Sequence, residues 1–321
     1  MRLRAALIDP GETDAYRLVH GEADGYPGWY LDRYGEFLLS ESEAPETPSQ
    51  KSVVSQHLRI GSLRGAYHKP PNFCLQGTPM ASSSPLCIQG DNAPEEIVVR
   101  ENGLRFAIRL NEGLSVGLFL DQRDNRRRLC VNHVAAGFPL CADGWAGREI
   151  LNTFAYTCGY SVCAAHAGAR CTSVDLSQKY LDWGRRNFVL NGLDPAAHAF
   201  LFGDVFDWMR RLAKKKQRFD VVILDPPTFS TSKQSGPFRA ERDFSRLVNS
   251  ALPLLKDDGV LFASTNAATF SPEKFLEAIT GAVQSAHRQI RQQHYVPQPP
   301  DFPIHRSEPA YLKTVWMRIS R

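Results

Sequence analysis

The residues with the plainest chemical meaning are acids at the ends of short apolar runs. Val221-Val222-Ile223-Leu224 leads into Asp225-Pro226-Pro227-Thr228-Phe229-Ser230. Two consecutive prolines fix φ and remove two N–H donors, giving a stiff turn whose carbonyls remain acceptors. Such a turn can take hydrogen bonds from an exocyclic amine or hold a planar ring, with Phe229 at hand for stacking. CTSVD ends at Asp175, and an acceptor-only carboxylate there suits the two hydroxyls of a ribose. Asp204, after AFLFG, can accept from an adenine-type amino group. Asn152-Thr-Phe-Ala-Tyr-Thr-Cys-Gly159 offers a turn ahead of a helix N-terminus, where the polar end of a nucleotide-like ligand can bind. Of a glycine-rich fingerprint only Gly159 remains there. The plain alternatives are an ordinary turn after the first strand, a helix-capping Asp175 and a proline pair that merely ends a strand.

These residues need elements to bring them together, and the chain alternates in the required way. From residue 147 it reads GREILNTF strand, SVCAAHAGA helix, CTSVD strand, SQKYLDWGRRNFVLNG helix, AFLFGD strand and VFDWMRRLAKKK helix. It continues FDVVILD strand, FSRLVNSALPLLKDDG helix, GVLFASTN strand and SPEKFLEAITGAVQSAH helix. That alternation predicts an α/β, doubly wound, mostly parallel sheet over 95–321, with seven strands once QIRQQHYVP and YLKTVWMRIS close it as an antiparallel pair. In such a sheet ligands sit beyond the carboxyl ends of the strands, where the acids fall. Ahead of it, EEIVVRENGLRFAIRL predicts a hairpin about Asn102-Gly103 as a lead-in over 95–120, followed by a helix from about Asp121. Residues 1–41 read as a small β-rich region. Residues 42–94 are rich in Ser, Pro, Thr and Gln and read as a linker or insert, with one strand within HLRIGSLRGAYHKP.

Composition excludes several classes. The 321 residues are 43% hydrophobic and 22% charged, which supports a packed core and argues against disorder. No apolar run approaches the ~18–20 residues of a membrane span, and MRLRAALIDPGETD turns polar too soon for a signal peptide. Seven cysteines, an odd number with no C-x-x-C pair, suit buried thiols in a reducing cytoplasm rather than disulfides or zinc. The histidines show no metal-ligand spacing, so no metal is expected. A net charge of +4 is too mild to demand a nucleic-acid partner and does not oppose one. Two basic stretches, Arg123 to Arg128 and Arg210 to Arg218, could meet phosphates, although a run of lysines is more often a solvated face.

Five segments together carry a resemblance: EEIVVRENGLRFAIRLNEGLSVGLFLDQRDNRR, LNTFAYTCGYS, TSVDLSQKYLDWGRRNFVLNGL, FDVVILDPPTFSTSK and PDFPIHRSEPAYLK. The chain resembles the class I S-adenosylmethionine-dependent methyltransferases of large-subunit ribosomal RNA, in the group with the RlmI-type cytosine-C5 and RlmK-type guanine-N7 enzymes. TDAYRLVHGEADGYPGWYLDRYGEFLL also resembles that group, so the likeness spans about three quarters of the chain. It implies a seven-stranded Rossmann-like methyltransferase domain, S-adenosyl-L-methionine as cofactor, RNA as partner and a cytoplasmic location. It implies that Phe154, Tyr156 and Gly159 line the methionine end of the cofactor, that Asp175 holds the ribose, and that Asn152 and Leu176 also belong to the cofactor site. Asp204 and Val205 would flank the adenine, Phe119, Asp121 and Arg126 would cover the cofactor, and Asp225 would sit beside the sulfonium. Asp225, Pro226, Pro227 and Phe229 would position the base.

Three departures follow. Cys158 stands where the group carries a second glycine, and if that position needs positive φ the cysteine is strained and cofactor affinity suffers. Cytosine-C5 methylation needs a cysteine thiolate after the fourth or fifth strand, but those places read DPPTFS and FASTNAATFS, and every cysteine lies at or before residue 171. A ring nitrogen as methyl acceptor is therefore expected. The group's RNA-binding PUA domain would precede residue 1 and is expected to be missing, which leaves a methyltransferase of small molecules or proteins as a rival. A non-catalytic RNA-binding remnant is a second, supported by Cys158. A nicotinamide-dependent dehydrogenase is a third, weakened by the lack of G-x-G-x-x-G.

Overall fold

Short apolar runs broken by glycine turns become the first three strands, β1 (Ala15–His20), β2 (Trp29–Tyr34) and β3 (Phe37–Ser42), paired antiparallel in sequence order. A computed structural model describes residues 7–69, 84–112, 115–232, 234 and 236–321. Their contacts form two units, Met1–Arg123 with Gln298–Ala310, and Asp124–Pro297 with Tyr311–Arg321. Composition instead divides the chain at residues 41 and 94.

In the first unit, part of the polar stretch 42–94 is not a linker. Thr47-Pro48-Ser49-Gln50 opens helix α1 (Pro48–Ile60), with the Thr47 side chain accepting from Gln50 N and the Gln50 side chain accepting from Thr47 N. This reciprocal cap, with proline at the first helical position, specifies a helix start despite the polar composition. Only Val54 and Leu58 of α1 are buried, so its apolar side is too narrow to show as periodicity. Strand β4 (Gly65–Lys69) then pairs parallel to β3, and β5 (Leu86–Gly90) completes a five-stranded sheet. Residues 70–83, with the Met-Ala-Ser-Ser part of the insert, lie outside the described residues, as do residues 1–6. The hairpin of β6 (Ile97–Glu101) and β7 (Leu104–Ile108) turns where expected, at Asn102 and Gly103 with φ of 51° and 78°.

Helix α2 (Arg123–Cys130) and the small hairpin β8 (His133–Ala135) with β9 (Phe138–Pro139) precede the α/β alternation. Its elements follow in the expected order: β10 (Glu149–Thr153), α3 (Gly159–His166), β11 (Arg170–Asp175), α4 (Gln178–Leu190), β12 (Ala199–Phe202), α5 (Val205–Lys214) and β13 (Phe219–Leu224). A hairpin not foreseen, β14 (Phe229–Ser232) with β15 (Gly236–Arg239), intervenes before α6 (Ala240–Ala251). Strand β16 (Leu255–Thr265), α7 (Pro272–Ser285), β17 (Gln289–Val296) and β18 (Lys313–Ser320) complete the chain. The seven-stranded sheet has the order β12-β11-β10-β13-β16-β18-β17. The first five strands are parallel, and β18 runs antiparallel to both its neighbours. Every residue of β13 is buried, as a central strand covered on both faces requires. Val222, Leu224, Leu261 and Met317 pack with α5, α6 and α7, while Tyr160 of α3 meets Phe262 from the other face. No helix among the described residues is long and apolar enough to cross a membrane.

Candidate functional site

Strand order reverses between β10 and β13, and the carboxyl ends of the strands around that point carry the acids. Asp175 ends β11, Asp204 follows β12 and Asp225 follows β13. This is where an open parallel sheet binds ligands.

Asp175 holds the loop after β10 in shape. Its Oδ2 accepts from Tyr156 N at 2.8 Å and its Oδ1 from Ser177 N at 2.8 Å. Capping of α4 belongs to Ser177, whose Oγ accepts from Tyr180 N, so Asp175 is not the cap. Burial raises the Asp175 carboxyl above its ordinary range, against the backbone donors of Tyr156, Ser177 and Leu176, which favour the ionised form. A carboxylate offers about four lone-pair sites, so beside these backbone donors capacity remains for a further donor such as a ribose hydroxyl.

The loop it holds is unusual. Phe154, Tyr156 and Cys158 have φ of 53°, 49° and 62°. Such left-handed residues cost roughly 1 kcal/mol or more each and persist only where surroundings impose them. Here Ala155 N donates to Val174 O at 2.9 Å and Cys158 N to Ala155 O at 2.8 Å. The positive φ expected at Cys158 is present, and Gly159 is simply the first residue of α3. The Cys158 side chain is fully buried against Gly184 of α4, where an added Cβ would come within 2.4 Å of Sγ. Burial pushes this thiol up to about 12. Thiol reagents at pH 8 should therefore leave the Cys158 peptide unlabelled in the folded protein and label it in denaturant, read by peptide mass analysis. Labelling in the folded state would show that the loop opens.

Beside this loop, Asn152 Nδ2 donates to Ser161 Oγ at 2.9 Å, and Ser161 meets Ser173 at 2.8 Å. The Oδ1 of Asn152 is buried and has no hydrogen-bond partner among the described residues. Asp204 is buried and caps α5, accepting from Asp207 N at 3.0 Å. Val205, expected beside an adenine, is 2% exposed and part of the core under the sheet edge. The exposed apolar side chains near Asp175 are Leu176 and Phe202, the latter opposite Asp175 in the parallel register. Phe202 escaped the sequence reading, although an apolar residue ending a strand beside an acid was its signal.

Asp225 is half-buried and Pro226 buried, while Pro227, Thr228 and Phe229 are exposed. Phe229 opens β14 opposite Arg239, whose guanidinium lies 5.4 Å from the ring centroid. Thr228 Oγ1 donates to Asn266 Oδ1, just beyond β16, at 2.8 Å. Phe119 and Asp121 belong to the first unit, and Arg126 is buried within α2 of the second. The first basic stretch is largely spent internally. Arg123 forms a buried bidentate pair with Asp301 at 2.8 and 2.5 Å, and Arg128 donates to the carbonyls of Val134 and Asp124. Arg210 and Arg211 pair with Asp207 on the exposed side of α5, as a solvated face does. Among the described residues no group of three His, Cys, Asp or Glu is placed to hold a metal.

The donor set suits a nucleoside carrying a cationic, amino-acid-like end. Three carboxylates lie at the ends of β12, β11 and β13, exposed Leu176 and Phe202 offer apolar surface to a flat base, and the buried Asn152 Oδ1 is an acceptor that an ammonium satisfies.

Comparison with known proteins agrees with that chemistry. A family described as S-adenosylmethionine-dependent methyltransferase matches residues 75–318. A protein of Deinococcus radiodurans named "Ribosomal RNA large subunit methyltransferase" is 32% identical over 98% of this chain and 76% of its own length. One of Psychrobacter cryohalolentis, "Ribosomal RNA large subunit methyltransferase K/L", is 40% identical over 77% of this chain and 31% of its own length. A crystal structure of a methyltransferase in complex with SAH aligns with a TM-score of 0.82 and 29% identity, covering 99% of this chain and 78% of the other.

Proposed function

Because the chain belongs to the S-adenosylmethionine-dependent methyltransferase family, we propose that it methylates a base of ribosomal RNA at a ring nitrogen, in the cytoplasm. The substrate class rests on the names of relatives similar over nearly the whole chain. The nitrogen rests on one observation: the two strand ends that face the target, Asp225 to Ser230 and Thr265 to Asn266, contain no cysteine. Cys158, at the same edge, is buried and its thiol is pushed up to about 12, so it supplies no thiolate at neutral pH.

When bound, S-adenosylmethionine supplies an electrophilic methyl group on a cationic sulfur. The residues of the chain then have to bind, orient and exclude water. Asp175 accepts from the ribose while keeping the loop at 154–158 folded. Asp204, Leu176 and Phe202 surround the adenine side, and Asn152, Phe154, Tyr156 and Gly159 take the amino-acid end. Within the same unit, Arg126 of α2 covers the cofactor. Asp225 faces the reacting end, where a negative charge favours a cationic sulfur. Pro226 and Pro227 hold that carboxylate in place, and Phe229 with Arg239 gives the target base a stacking platform. A ring nitrogen brings its own lone pair, so alignment rather than proton removal is what the site contributes.

Incubation with labelled S-adenosylmethionine and deproteinised ribosomal RNA, followed by nucleoside mass analysis, tests the reading. The expected product is a base methylated at a ring nitrogen. Label in 5-methylcytidine would overturn the nitrogen assignment. Cofactor binding with no label in RNA would move a small-molecule or protein acceptor to first place.

A further inference from the structure

One charged group at the catalytic edge has no part in the chemistry above. Lys313 opens β18 opposite Thr265 of β16 and is 1% exposed. It lies on the apolar face that carries Val315 and Met317. Its Nζ donates to the carbonyl of Ala267 at 2.7 Å and has no carboxylate partner among the described residues. Among the described residues the other deeply buried lysine, Lys69 of the first unit, has Glu41 at 3.0 Å. Burying an ammonium without a counter-charge is costly, and an apolar side chain of similar volume is commonly as stable or more so. Lys313 is thus a poor choice for stability, and such choices gather at functional sites.

The carbonyl it grips belongs to a tightly tied turn. Ala267 O also accepts from Phe270 N at 3.1 Å, and Ala267 N donates to Thr265 Oγ1 at 3.2 Å. This turn carries the exposed Asn266 up to the Asp225-Pro226-Pro227-Thr228 turn, since β13 and β16 are parallel neighbours. The Thr228 hydroxyl takes the Oδ1 of Asn266. That contact sets the orientation of the amide and leaves the Nδ2 donors of this exposed residue with no hydrogen-bond partner among the described residues.

Resting on the ribosomal RNA reading, we propose that Asn266 is a specificity-determining residue and Lys313 the positioning residue that holds it. Asn266 donates from Nδ2 to a carbonyl oxygen beside the methylated nitrogen of the target base. The pairing admits a ring nitrogen whose lone pair is free near a carbonyl oxygen, as at guanine N7 or cytosine N3, and rejects adenine N1 and N7, where the exocyclic amine would set donor against donor. Lys313 touches no substrate and acts through the turn.

The test compares wild type, Asn266→Ala, Asn266→Asp, Lys313→Met and the Asn266→Ala/Lys313→Met double variant with deproteinised ribosomal RNA, alongside cofactor affinity by calorimetry and thermal melting. Asn266→Ala and Lys313→Met are each expected to lower kcat/KM for RNA about tenfold with cofactor affinity unchanged. Lys313→Met should melt no lower than wild type, which separates positioning from a role in stability. The double variant should be no worse than either single one, because the lysine works through the asparagine. Asn266→Asp, exposed and harmless to folding, should lose more than tenfold by opposing acceptor to acceptor. Either residue dispensable, losses that multiply to about a hundredfold, or a methylated adenine would overturn the proposal while leaving the ribosomal RNA reading intact. Wild-type protein that binds cofactor and labels no RNA would overturn both.

Discussion

Asp225→Ala is expected to reduce methyl transfer to RNA by about a hundredfold or more, with the protein still folded. The carboxylate follows a strand buried along its whole length and precedes two prolines, so its place is set by rigid neighbours. On the proposed reading, removing it deletes a negative charge beside the reacting end and one wall of the base site together. Asp225→Asn keeps the size and loses the charge, so the difference between the two variants measures the electrostatic part. Label transfer under saturating cofactor, with melting temperature as control, checks the expectation. Transfer by Asp225→Ala at the wild-type rate would sink the assignment of this edge as the active site.

The second large effect is on cofactor affinity. Asp175→Ala should weaken S-adenosylmethionine binding by about a hundredfold or more, since hydrogen bonds to a charged group contribute roughly 1.5–3 kcal/mol each. The same change leaves Tyr156 N and Ser177 N without their acceptor and loosens a loop with three left-handed residues. Calorimetry should show the loss of affinity, and wild-type affinity would remove Asp175 from the ribose site. The pH dependence has a definite sign. The ionised carboxylate binds, and burial raises its folded value, so affinity is present above that value and is lost as pH falls through it. The loss should begin at a higher pH than an ordinary aspartate would give, and Asp175→Asn should flatten that limb.

Much of this edge could be read before the fold was known, for physical reasons. Acids that close apolar runs, as Asp175 and Asp225 do, must emerge at one end of a parallel sheet, and Asn102-Gly103 allows little but a tight hairpin. Other features have no local signature. Arg123 looks like a phosphate ligand until Asp301, 178 residues away, is seen to neutralise it. Helix α1 buries so few residues that its cap at Thr47 and Gln50 is a stronger signal than its composition. Val205 begins its helix facing the core, and nothing in its neighbours distinguishes that from facing a ligand. Nothing local marks Lys313 as buried, because sequence does not reveal that β18 is an interior strand of the sheet.

The contact between Cys158 and Gly184 also makes these two positions one packing unit. With cysteine at 158, a side chain at 184 would collide with sulfur, so the space beside α4 holds one side chain and not two. Smallness at 184 is therefore set by the residue at 158, two elements away in sequence. The loop that Asp175 ties down is also pinned from behind, by the absence of a single methyl group on a neighbouring helix.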